Sequence, residues 1–139
     1  MKILVSACLL GENCKYNGGN NYNQNVMDYI KGHEVVPVCP EIMAGLGAPR
    51  DSAELVEGIV KTKNGRDIDD EFRRGVTLAM EYVRKENIDL AVLQSRSPTC
   101  GVNQIYDGSF QGHLIQGKGI FAAALEEAGY RVMDAEDLA

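Results

Sequence analysis

Two rhythms of apolar residues run along the chain. Lys2–Ser6 and Asp89–Leu93 are short, nearly continuous apolar runs, the pattern of strands buried on both faces of a parallel sheet. Val35-Val36-Pro37-Val38 is a third run, and Pro37, which has no amide hydrogen, points to an edge strand or an irregular pairing. Tyr130–Met133 predicts a last strand. Between these runs the period lengthens to that of a helix. Phe72, Val76, Met80 and Val83 form one stripe over Asp69–Asn87, with acids in the first turn. Asn25–Lys31 carries Val26, Tyr29 and Ile30 and is closed by Gly32, and Lys118–Ala128 is stopped by Gly129. Ile42–Leu46 reads as a short helix, and Leu55–Gly65 as a hairpin carrying Val56, Ile59 and Val60. Gln104–Asp107 and His113–Ile115 read as short strands or loop pieces, and Gly11–Asn23 as a polar loop. Strands alternating with helices predict an α/β fold: a single compact domain over residues 1–139, with a mostly parallel, Rossmann-like sheet flanked by helices.

Composition narrows the function classes. At 139 residues the chain suits one domain, which buries roughly 68–70% of its unfolded surface. With 14 Lys+Arg against 20 Asp+Glu, the net charge of −6 argues against DNA and makes long RNA a poor partner. It leaves room for a small anionic ligand held by local donors. No apolar run approaches the roughly 20 residues of a membrane span, so no membrane association is expected. Val5-Ser6-Ala7-Cys8 has the look of a lipoprotein cleavage box, but Ile3-Leu4-Val5 is short of the about 7–15 residues of a signal core. The expected location is cytoplasmic, where cysteines more often bind metal or do chemistry than form disulfides.

The placement of the cysteines is more informative than their number. Cys8, Cys39 and Cys100 each follow a predicted strand, and the carboxyl ends of neighbouring parallel strands gather along one edge, where ligands bind. A phosphatase-type nucleophile needs an arginine six residues on, where this chain has Cys14, Gly45 and Tyr106. There is no Cys-x-x-Cys pair for a zinc ribbon or a thioredoxin-like site, and neither His33 nor His113 sits in a cysteine-bearing turn. Three readings stay open: a four-cysteine zinc site that includes Cys14, an iron–sulfur cluster with one iron left open, and buried core cysteines. Glu41, two residues past Cys39, is placed to act as acid or base. Ser97, in the turn of Cys100, is placed to donate to an oxyanion or a water.

Taken together, these segments resemble the thiouracil desulfurase family. The matching stretches are Val5-Ser6-Ala7-Cys8-Leu9-Leu10-Gly11, Cys14-Lys15-Tyr16-Asn17-Gly18 and Pro37-Val38-Cys39-Pro40-Glu41. They continue as Gly45-Leu46-Gly47-Ala48-Pro49-Arg50, Ser97-Pro98-Thr99-Cys100-Gly101, Tyr106-Asp107-Gly108 and Gly117-Lys118-Gly119, over nearly the whole chain. The resemblance implies a [4Fe-4S] cluster with three Cys ligands, Cys8, Cys39 and Cys100, and one open iron. It also implies non-redox removal of sulfur from a thiolated pyrimidine, with Glu41 and Ser97 as catalytic partners. Lys15 and Asn17 stand where the family usually has Arg and Asp, Gln94 where a lysine is common, and Thr99 where a serine is usual. Cys14 matches a position that is not a ligand in the family and reads as a loop thiol.

Weaker signals complete the list of candidates. Gly112-x4-Gly117-Lys118 has the outline of a phosphate loop, but Gly119 replaces the hydroxyl residue that would hold magnesium. Lys118 at a helix start remains a candidate for one phosphate of a nucleotide. Arg50 and Tyr106 are candidate substrate contacts. The expected activity is desulfuration of a small-molecule thiolated pyrimidine or nucleotide, such as thiouracil or thio-UMP, with release of hydrogen sulfide. The alternative is a non-catalytic iron–sulfur or zinc protein that stores, delivers or senses metal or sulfide.

Overall fold

The computed structural model describes residues 1–138. In chain order the elements are β1 (Lys2–Ser6), a 3-10 turn (Ala7–Leu10), α1 (Gln24–Ile30), β2 (Glu34–Val38) and α2 (Pro40–Met43). Next come β3 (Ala53–Val56), β4 (Ile59–Thr62), α3 (Asp69–Glu86), β5 (Leu90–Leu93), β6 (Gln104–Tyr106) and β7 (Leu114–Gln116). The chain continues with α4 (Ile120–Glu127), β8 (Val132–Asp134) and a closing 3-10 turn (Ala135–Leu138).

The four apolar runs form one parallel sheet in the order β2-β1-β5-β8. Alternation along each strand divides the core. Ile3 and Val5 of β1, with Leu90 and Val92 of β5, pack against α1 and the closing turn. Leu4, Ala91 and Leu93 face the other way, onto Val76, Ala79, Met80 and Val83 of α3 and Phe121, Ala122 and Leu125 of α4. β1 therefore has β2 on one side and β5 on the other, with the covering helices on opposite faces. Strand order reverses there, and the carboxyl ends of β1 and β5 open a crevice. The expected fold class is the one observed. Two antiparallel hairpins, β3–β4 and β6–β7, extend the domain beyond that end. A small third core of Val60, Ile68 and Phe72 seats the first of them.

Element boundaries differ from the sequence expectations in two places that matter. The short helix starts at Pro40, directly after Cys39, because proline at the first helical position has its φ preset and lacks only an amide that would be unpaired anyway. Glu41 is thereby a helix residue. The last helix starts at Ile120 instead of Lys118, because Gly119 is its N-cap and stays extended. Pro37 lies on edge strand β2, as its missing donor requires. Among the described residues, no helix is long and apolar enough to cross a membrane.

Candidate active site

Each cysteine-bearing turn has a local cause. After β1 the chain tightens into the 3-10 turn and leaves it through Gly11, at φ 96°. Cys39 closes β2 in extended conformation and is the N-cap of α2. After β5, the amide of Gln94 donates to Ser6 Oγ at 3.0 Å, tying the ends of two neighbouring strands together. Ser97 Oγ then accepts the amides of Thr99, at 3.0 Å, and Cys100, at 3.1 Å, which turns the chain so that Cys100 faces inward. The three turns meet around one cavity of about 570 Å³, which Cys8, Cys39, Cys100, Glu41 and Ser97 all line.

All four cysteines are free thiols. Cys14, read from sequence as a loop thiol, is buried in the cavity wall among the others. Its thiol donates to Cys8 and draws the Cys8 thiol down from 9.0 to about 7, against the effect of burial and with help from the Asn21 amide. Hydrogen bonding to Cys39 and to Cys8 in turn pushes Cys14 well above the ordinary thiol range. Burial does the same to Cys100. Among the described residues, no trio of His, Cys, Asp and Glu is drawn together tightly enough to hold a single metal ion. The donor set, thiol sulfurs lining one cavity, is of the chemical type that holds an iron–sulfur cluster.

Glu41 is buried at 9% exposure, and both of its oxygens are engaged. Thr99, itself fully buried, donates its hydroxyl to Oε1 at 2.7 Å, and the Cys39 thiol lies 3.4 Å from Oε2. Sequence reasoning noted Thr99 only as standing where the family usually has a serine and gave it no role; its signal was a hydroxyl next to a cysteine. Asp134 was also missed, for it is an unremarkable acid at the end of β8. It is fully buried and accepts the amides of Val102, at 3.2 Å, and Glu136, at 3.0 Å, together with the Ser95 hydroxyl. The Ser97–Cys100 turn is thus fastened on both sides by one carboxylate.

The three candidate substrate contacts fare differently. Tyr106 and Arg50 line the cavity. The Arg50 guanidinium donates to the carbonyls of Gly47, at 2.7 Å, and Cys14, at 3.0 Å, and so fixes the loop that carries Cys14. Lys118 lies outside the cavity lining, and its ammonium bonds the Val102 carbonyl at 3.2 Å and Glu126 at 3.1 Å. The first amides of α4 are directed at protein carbonyls: Ile120 to Pro98 at 2.9 Å, and Phe121 to Thr99 at 2.8 Å. Gly119 serves close packing, because a Cβ there would lie 2.3 Å from the Thr99 carbonyl carbon. Lys15, Lys63 and Arg96 bring positive charge to the cavity wall of an otherwise acidic chain.

The chain is 34% identical to the Bacillus subtilis (strain 168) protein described as "Uncharacterized protein YbbK", over 98% of this chain and 97% of that one. It superposes with a TM-score of 0.91 on the solved structure of a [4Fe-4S]-dependent thiouracil desulfidase, TudS. The two are 37% identical, and the match covers 99% of this chain and 92% of that one. The family model described as 2-thiouracil desulfurase matches residues 3–137. On this match, and on a cavity where three separate strand ends each present a thiol, the chain belongs to the 2-thiouracil desulfurase family.

Proposed function

We propose that the protein replaces the sulfur of a thiolated pyrimidine, as free base or nucleotide, by oxygen from water and releases hydrogen sulfide. The observation that carries this reading is the convergence of three thiol-bearing turns and one buried carboxylate on a single cavity. Cys8, Cys39 and Cys100 are the residues to hold a [4Fe-4S] cluster, and free thiols of this kind suit a reducing, cytoplasmic setting. When bound, the cluster supplies Lewis acidity at an open iron, which polarises a carbon–sulfur bond without changing the electron count.

The protein's own groups handle the protons. Glu41 takes a proton from the attacking water and passes it to the departing sulfur, which gains its second proton from the adduct hydroxyl as the carbonyl forms, so that thiocarbonyl plus water gives carbonyl plus hydrogen sulfide. Thr99 holds Oε1 in place, and Oε2, on the side of Cys39, is the oxygen that takes the proton. Ser97 accepts two amides through its oxygen, and its hydroxyl hydrogen remains to donate to the adduct. Tyr106 and Arg50 border the space left for the ring. The location of Lys118 supports no direct part in substrate binding.

The test is anaerobic reconstitution followed by measurement of sulfide released from 2-thiouracil. Wild type is expected to turn over, and Glu41→Ala to keep the cluster absorbance while losing at least about a hundredfold in kcat. Wild-type protein that holds the cluster yet releases no sulfide from any thiolated pyrimidine sinks the catalytic reading.

A further inference from the structure

The connection between β6 and β7 overhangs the cavity and is held in an unusual way. Asp107 accepts the Ser109 amide at 2.9 Å and starts a tight turn, in which Gly108 lies at φ 91°. A Cβ on Gly108 would come within 2.6 Å of the Leu55 carbonyl, so the turn rests directly on the β3 backbone. Glu54 of β3 accepts two amides of the turn through one oxygen, those of Gly108 at 3.0 Å and Phe110 at 3.2 Å. Phe110 is left at φ 58°, a region that a bulky side chain occupies only when its surroundings require it. The side chain held at this cost lines the cavity, with Tyr106 on the same connection.

Phenylalanine brings no donor or acceptor to a site. What it supplies is a flat, polarisable face, and a planar heteroaromatic ring is the ligand that uses such a face best. We propose that Phe110 stacks on the pyrimidine ring and sets the preference for planar over puckered substrates, with Glu54 as its positioning residue. The proposal rests on the desulfurase reading and adds the part of the site that recognises the ring.

Calorimetry on the cluster-loaded protein, with uracil and 5,6-dihydrouracil as ligands, separates the two questions. Neither ring carries sulfur, so neither is turned over, and they differ chiefly in flatness. Phe110→Ala is expected to weaken uracil binding about tenfold and dihydrouracil by less than about twofold. Phe110→Leu, which keeps bulk without the aromatic face, is expected to behave like the alanine variant. Glu54→Ala is expected to weaken uracil in the same way, and Glu54→Gln, which retains a carbonyl acceptor, to restore it. Equal losses for the two rings, or unchanged uracil affinity in Phe110→Ala, overturn the proposal. Sulfide release from 2-thiouracil by the same wild-type sample tests the underlying reading separately: ring discrimination without release keeps the stack and removes the desulfurase.

Discussion

Thr99 shows how much one hydroxyl can do. It is completely buried, it touches the carboxylate proposed to move protons, and its own backbone carries the chain on to Cys100. A hydrogen bond to a charged group is worth about 1.5–3 kcal/mol, which corresponds to roughly one to two decades in rate if it is needed only in the transition state. Thr99→Val keeps the shape and removes the donor. It is expected to lower kcat for 2-thiouracil by about tenfold or more with little change in KM, and Thr99→Ser to recover most of the loss. A shift in KM alone places Thr99 in ring binding instead. Cys14 belongs at the same scale. Cys14→Ala is expected to leave the cluster absorbance of reconstituted protein intact, whereas Cys100→Ala abolishes it; an essential Cys14 removes the three-ligand scheme.

At the scale of elements, the site depends on how closely backbones approach. Gly75 of α3 faces α2 so tightly that a Cβ would lie 2.1 Å from the Pro40 carbonyl oxygen, one residue before Glu41. Alanine is the better helix former by about 1 kcal/mol, yet here it must push α2 away. Gly75→Ala is therefore expected to lower both the melting temperature and kcat. Asp134→Ala strands the buried Val102 amide and frees the Ser95 hydroxyl, a loss of about 2–3 kcal/mol measurable as a lower urea midpoint. The start of α3 gives a pH dependence. Burial opposes ionisation of Asp69, but the Val60 amide and Arg73 outweigh it and hold the carboxyl below its ordinary 3.8. A lowered folded pKa means that its contribution is complete above the unfolded value and is lost as pH falls through the folded one. Wild type should lose stability faster than Asp69→Asn below about pH 4, and parallel curves in acid melts contradict this.

For the whole molecule, what could be read in advance was what a short window of residues decides. The strands Lys2–Ser6 and Leu90–Leu93 are buried on both faces, so their apolar runs are unbroken, and α3 declares itself by a stripe that only one period explains. From those elements the convergence of three cysteines on one edge follows by topology. The remaining parts of the site depend on neighbours distant in sequence. Thr99 meets Glu41, Glu54 holds the Phe110 turn, and Asp134 fastens the Ser95–Val102 segment, and none of these acceptors differs locally from any other acid. Lys118 shows the converse limit: a glycine-rich turn before a helix has the same spacing whatever its use, and the packing of Gly119 on the Thr99 backbone could not be read from it.

The sheet order β2-β1-β5-β8 also couples the thiol-bearing edge to the last of its strands. Cys8 follows β1 and Cys100 follows β5, and the turn of Cys100 is fastened by Asp134 on β8, the last of the four strands in chain order. The thiol-bearing edge is therefore set in full only when β8 has paired with β5. Loosening β8 would therefore disturb the setting of a thiol that β8 itself does not carry.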